Sequence, residues 1–80
     1  MLERVYEYVK DNEFRFTVYD NKIHIINYKR IITLEDNYIS FYSPINKISI
    51  TGINLSLVKL LDKEMLIKGT ITKIEVSNDW

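Results

Sequence analysis

The residues able to do acid–base or nucleophilic chemistry in this chain are few. There is one histidine, His24, and there are no cysteines. A catalytic or metal-binding histidine needs partners, and no second His or Cys exists to supply them. Asp20, Glu35 and Asp36 are the carboxylates the sequence offers to His24. The position of His24 between Ile23 and Ile25 is that of a solvated or structural side chain on the polar face of a strand. The serines are Ser40, Ser43, Ser49, Ser56 and Ser77. None lies in a Gly-flanked elbow, and a single histidine is available to activate any of them. Ser40, Ser49 and Ser56 fall at outward strand positions, where small polar residues are routine. Glu35-Asp36 is a turn pair rather than an inward-facing dyad. Gly52 and Gly69 are the only glycines and stand far apart, so no phosphate-cradling loop forms. No catalytic residue, no metal ligand and no cofactor is expected, and the chain reads as a non-enzyme.

Binding is the alternative to catalysis. Small β-barrels bind single-stranded nucleic acid with aromatic platforms set in a basic groove. Tyr38 and Tyr42 have outward parity, and Lys29, Arg30 and Lys47 lie near them in sequence. Against this, 11 basic residues meet 11 acidic ones, so the formal net charge is zero. That removes the attraction which supplies most non-specific affinity for nucleic acid. Tyrosine is also an ordinary outer-face strand residue that supports cross-strand pairs. Contact with another protein suits this material better, because exposed strand edges template pairing with a further chain. Lysines 22, 29, 47, 68 and 73 would blunt unwanted pairing. A second candidate surface is the apolar face formed by Leu2, Val5, Tyr6 and Val9. Docking on the chain's own sheet is the commoner use for such a face.

These residues must be positioned by elements that the hydrophobic period reveals. Leu2, Val5, Tyr6 and Val9 fall at i, i+3, i+4 and i+7, which predicts a short amphipathic helix over 2–11. From Phe14 the period becomes two. The chain carries 13 Ile, 5 Val and 5 Thr and no Ala, a β-branched excess that packs well on a pleated surface. Turns are expected at Asp20-Asn21, Glu35-Asp36-Asn37, Ser43-Pro44-Ile45-Asn46 and Asp62-Lys63-Glu64. Asn21 and Asn46 are suited to left-handed conformations, and Pro44 to the second turn position. Ile48 and Ile50 point inward, and after Gly52 the inward set becomes Ile53, Leu55 and Leu57. A glycine at a parity flip predicts a β-bulge. Gly69 lies in a similar strand, and a second slip is expected near Thr72-Lys73. Ile50–Leu55 echoes Ile67–Thr72 seventeen residues later, which reads as two similar bulged strands in one curved sheet. No apolar run is long enough to cross a membrane as a helix. Met1-Leu2-Glu3-Arg4 is charged at once, so no signal peptide is expected.

The run from Phe14 to Val76 resembles the YabP/YqfC family of sporulation proteins. The resemblance is carried by Val18-Tyr19-Asp20-Asn21-Lys22-Ile23-His24-Ile25-Ile26-Asn27-Tyr28-Lys29, then by Ile31 and Leu34, and then by Ile39-x-Phe41. It continues through Asn46–Leu57 around Gly52 and through Met65–Ile74 around Gly69. It covers about four-fifths of the chain, in order. The individual motifs are short, and their serial arrangement carries the likeness. This chain departs from the family pattern at Arg30 and Asn46, where the family commonly has Gly, and at Ile26, where an acidic residue is common. The resemblance implies a non-catalytic protein of the mother-cell cytoplasm with a role in spore assembly. It implies no catalytic residues.

The expected fold is therefore all-β. It is a strongly curved antiparallel meander of about seven short strands over 14–76, in a single domain of residues 1–80, with the 2–11 helix before it and a tail at 77–80. Closure into a barrel is left open. The expected core is Phe14, Phe16, Val18, Ile23, Ile25, Ile31, Leu34, Ile39, Phe41, Ile48, Ile50, Leu55, Leu57, Ile67, Ile71, Ile74 and Val76.

Overall fold

A computed structural model describes residues 13–78. The helix expected over 2–11, with Leu2, Val5, Tyr6 and Val9, lies outside the described residues. Within them the protein is all-β, with six strands rather than seven: β1 (Arg15–Val18), β2 (Lys22–Ile26), β3 (Arg30–Leu34), β4 (Tyr38–Tyr42), β5 (Lys47–Leu60) and β6 (Glu64–Ser77). The count falls because β5 and β6 run on through their irregularities, each for 14 residues. Ser77, expected to begin a tail, still pairs with Lys47.

The strands form one antiparallel sheet in the order β1-β2-β6-β5-β4-β3, so the fold is not a simple meander. The meander breaks after β2, whose second neighbour is β6 rather than β3. Ile23 faces Ile67 and Ile25 faces Met65 across that pairing, and all four are fully buried. The break is made at Asn27, whose φ of 67° turns the chain out of β2. Asparagine tolerates that left-handed conformation better than other non-glycine residues. Arg30, which stands where the resembled family commonly has Gly, begins β3.

Four hairpins close on two-residue loops. Their closing hydrogen bonds run from the amides of Tyr19, Glu35, Ser43 and Leu61 to the carbonyls of Lys22, Tyr38, Asn46 and Glu64. All four turns lie where the polar clusters place them, but neither Asn21 nor Asn46 has a positive φ. At the third turn a side chain does the work instead. The buried Ser43 hydroxyl donates to Asn46 Oδ1 at 2.6 Å and accepts from the amides of Ile45 and Asn46.

The long β5–β6 hairpin is the spine, and it is bent across its middle. β4 pairs with the first part of β5, through Lys47–Thr51, and β2 pairs with the first part of β6, through Glu64–Lys68. The sheet thus folds into two layers that share the two long strands. One layer is β3, β4 and the outer ends of the spine (47–51 and 73–77). The other is β1, β2 and its hairpin end (56–60 and 64–68). Strands that switch layers do so through bends and bulges. Here Thr72 is an extra residue on β6 between the pairs Thr51–Lys73 and Gly52–Ile71. Its hydroxyl donates to the Thr51 carbonyl at 3.0 Å. A second extra residue lies on β5 at Asn54-Leu55, opposite Gly69, with Asn54 left-handed at φ 53°. A third is Val58. The slip at Thr72 falls where the alternation places it. The two glycines, however, lie opposite the extra residues rather than at them. The inward set on β5 switches at Asn54, so Ile53 points to solvent instead of inward.

Each glycine is required by close approach. A Cβ on Gly52 would overlap the Thr70 carbonyl oxygen and sit 2.7 Å from the Leu55 side chain. Gly69 has a φ of 142°, and a Cβ there would lie 2.7 Å from the Asn54 carbonyl oxygen. Each is also held by a hairpin turn. The Gly52 amide donates to the Asn37 carbonyl at 3.1 Å and the Gly69 amide to the Asn21 carbonyl at 3.0 Å. Both acceptors are the second residue of an Asp-Asn turn, and the two turns stand sixteen residues apart.

One hydrophobic cluster fills the fold between the layers: Ile23, Ile25, Tyr28, Ile39, Phe41, Ile48, Ile50, Leu55, Met65 and Ile67. Phe41 from one layer meets Phe14 and Phe16 from the other at ring separations of 6.5 and 6.3 Å, and Tyr28 edge-on at 6.4 Å. Phe14, Phe16, Ile31, Leu57, Ile71 and Ile74 pack around the cluster. Val18, Leu34 and Val76, expected inside, are about half exposed. All three lie on layer edges, where among the described residues a neighbouring strand covers one flank only. Tyr28 and Met65 take their place, Tyr28 with its hydroxyl donating to the Leu61 carbonyl at 3.1 Å. Among the described residues β1 and β3 do not pair, so the sheet stays open rather than closing into a barrel.

Gly52→Ala and Gly69→Ala should each cost about 2 kcal/mol or more, since the clashing atoms are backbone. That is a large share of the roughly 4–12 kcal/mol expected at this length. Urea unfolding of the two variants reads this directly, and losses below about 0.5 kcal/mol would contradict it.

Candidate functional site

The polar faces of the two layers carry two side-chain clusters. On the β3–β4 layer, cross-strand register places Arg30, Tyr42, Lys47 and Ser77 in one row. The Arg30 guanidinium lies over the Tyr42 ring at 5.3 Å. Lys29, Arg30, Tyr42 and Pro44 line a shallow groove of about 480 Å³. Tyr38, two pairs along the same face of β4, is half-buried and its hydroxyl donates to Ser49 Oγ at 3.1 Å. The structure therefore brings Tyr42 together with Lys29, Arg30 and Lys47. Tyr38 is held against Ser49 instead, and one face of Tyr42 is covered by Arg30. Pro44 and Asn46 belong to the turn beside this groove.

On the other layer β2 presents His24 beside β6. His24 Nε2 donates to Glu64 Oε2 at 2.6 Å, and Lys59 Nζ approaches the same oxygen at 3.4 Å. Tyr19, Lys22, His24, Lys59, Glu64 and Leu66 line a second hollow of about 270 Å³. The partner of His24 is thus Glu64, not Asp20, Glu35 or Asp36. The reason is topological: His24 faces Leu66 only because β2 pairs with β6, a contact across forty residues of chain. No local pattern announces that pairing. The His24 hydrogen bond holds the Glu64 carboxyl below its ordinary 4.5, against a smaller opposing effect of desolvation, with Lys59 adding to the lowering. A histidine, a carboxylate and a lysine gather here in one hydrogen-bonded cluster on a strand face. Among the described residues no group of three or more His, Asp or Glu side chains is placed to hold a metal ion.

Because the carboxyl's pKa is lowered by folding, its contribution to stability is fully present above 4.5 and is lost as pH falls through the lowered value. Thermal unfolding of the wild type and of Glu64→Gln should therefore differ most above pH 4.5 and converge in acid. A difference that stays constant across this range would refute the assignment.

The third feature is the set of strand edges. Among the described residues, β1 and β3 each have one unpaired flank, as do the β5 segment 56–60 and the β6 segment 70–76. Large apolar side chains stand exposed along all four: Val18 on β1, Ile32 and Leu34 on β3, Val58 and Leu60 on β5, and Val76 on β6. Edge segments of this kind are surfaces for strand addition. Among the described residues no helix is long and apolar enough to cross a membrane.

Compared with protein-family models, with curated proteins and with solved structures, the chain matches none. The likeness to the YabP/YqfC family therefore stands on the serial motif pattern alone.

Proposed function

We propose that this chain is a non-catalytic scaffold acting through protein–protein contact, in the assembly of the bacterial spore and in the mother-cell cytoplasm. The observation that carries the contact reading is the folded sheet whose edges, among the described residues, are open and apolar-tipped on both layers. A soluble domain that keeps edges open presents unpaired backbone donors and acceptors to any partner strand. The place in sporulation is supported by the ordered series of motifs from Phe14 to Val76. The clusters at His24 and Tyr42 fit this reading as strand-face networks that stiffen the sheet.

The test uses tagged protein in extracts of sporulating cells. Wild type should retain a spore-assembly protein, and the edge-blunted Val18→Lys/Leu34→Lys variant should release it while keeping its circular dichroism. Both side chains are exposed, so the fold should survive. A chain that runs as a strict monomer by light scattering and retains no partner in either form would sink the proposal.

A second reading has one observation in its favour, the gathering of Lys29, Arg30 and Lys47 around Tyr42. It is single-stranded nucleic-acid binding, with Tyr42 as a stacking platform. Titration with labelled oligonucleotides at low salt, repeated at rising salt, decides it. Binding that weakens with salt and with Tyr42→Ala would support it, and no binding at low salt would remove it.

A further inference from the structure

We propose that the edge of β3 pairs antiparallel with the same edge of a second copy of this chain, about a two-fold axis between Ile32 and Thr33. The inference rests on the contact reading above and names the occupant of one edge. Three observations lead to it.

The first is charge. In this register Arg30 of each copy faces Glu35 of the other, at both ends of the paired segment. Both side chains are exposed. Arg30 is already oriented by its stack on Tyr42, which leaves the guanidinium edge free to meet a carboxylate.

The second is the side of the sheet on which these residues stand. Opposed residues in an antiparallel pair point to the same face. In a regular strand, Arg30 and Glu35 would point to opposite faces, and the register would be forbidden. The bulge at Ile32 changes this. Arg30 faces Tyr42 and Ile31 faces Phe41, but Thr33 faces Ser40, so one residue of β3 is passed over. Glu35 closes its hairpin against Tyr38, on the same face as Tyr42. Arg30 and Glu35 therefore share the polar face. Ile31 and Leu34, paired with Phe41 and Ile39, share the inner one. Pairing places Ile31 of each copy opposite Leu34 of the other and extends the core face across the axis. It covers Leu34 and Ile32, now 47% and 42% exposed.

The third is that the other edges offer this complementarity less well. Self-pairing of the unbulged β1 within Arg15–Val18 sets Arg15 against Thr17, and the acidic Glu13 lies before the strand begins. On β6, Lys73 and Glu75 already meet each other at 3.4 Å. The 56–60 edge of β5 carries Lys59 without an acidic residue. Zero net charge adds no long-range repulsion between copies.

Sedimentation equilibrium on the full chain tests this with four variants. Wild type should show a monomer–dimer equilibrium. Arg30→Glu and Glu35→Arg should each weaken it about tenfold or more, because each sets like charges opposite one another twice. The double exchange Arg30→Glu/Glu35→Arg keeps opposite charges facing and should restore affinity to within about twofold. Leu34→Lys should abolish the dimer while leaving the circular dichroism unchanged. A dimer indifferent to these changes, or a double exchange that fails to rescue, overturns the pairing. So does a monomer at every concentration. If such a monomer still retains a spore-assembly protein, the scaffold reading survives and only the β3 pairing falls.

Discussion

Two backbone hydrogen bonds hold the bend on which everything else in this fold depends. Gly52 on β5 and Gly69 on β6 each present an amide to the carbonyl of an asparagine that ends an Asp-Asn turn. At both corners the glycine hydrogen lies against backbone from the opposite strand, leaving no room for a side chain. The long hairpin therefore has one pair of sites where it can fold sharply. A hairpin crosses them and clamps each: β1–β2 at Gly69 and β3–β4 at Gly52. Without the bend, β5 and β6 would form a twisted ribbon with one apolar face open to water.

The bend converts that ribbon into two layers with a shared interior. It brings Phe41 of β4 against Phe16 of β1 and against Phe14 just before that strand. It also decides what remains on the outside. Each layer has two outer flanks, and the spine supplies one flank of each. A closed barrel would have satisfied all four. Among the described residues the open arrangement leaves backbone donors and acceptors along these flanks without a partner strand. The polar clusters sit on the outer faces, where the ladder holds their backbone rigid.

Much of this was legible in the residues. Alternation from Phe14 onward marked the strands, Asp, Asn and Pro marked the turns, and the two glycines marked the corners. The echo between Ile50–Leu55 and Ile67–Thr72 is the trace of two equivalent corners. What the sequence hid is non-local. Nothing near Lys22–Ile26 reports that its neighbour lies forty residues away on β6, because alternation shows which face a residue takes and not which strand lies beside it. That blindness cost the His24–Glu64 pair, which belongs to the β2–β6 register. It cost Tyr28 as well, buried by a crossing between layers that a meander would not make. Val18, Leu34 and Val76 have inward parity but sit on flanks, and parity carries no information about which strands are edges. The bulge at Ile32 gave no signal, since Ile31-Ile32 reads equally well with either residue inward.

Native-state hydrogen exchange of the Gly52 and Gly69 amides addresses the corner clamps most directly. If the clamps hold the bend, both amides exchange only through global unfolding, at the free energy of the core amides of Ile25 and Ile50. If either amide exchanges as freely as that of Lys63 in the last hairpin loop, the clamp at that corner does not hold the fold and the account of the bend is wrong.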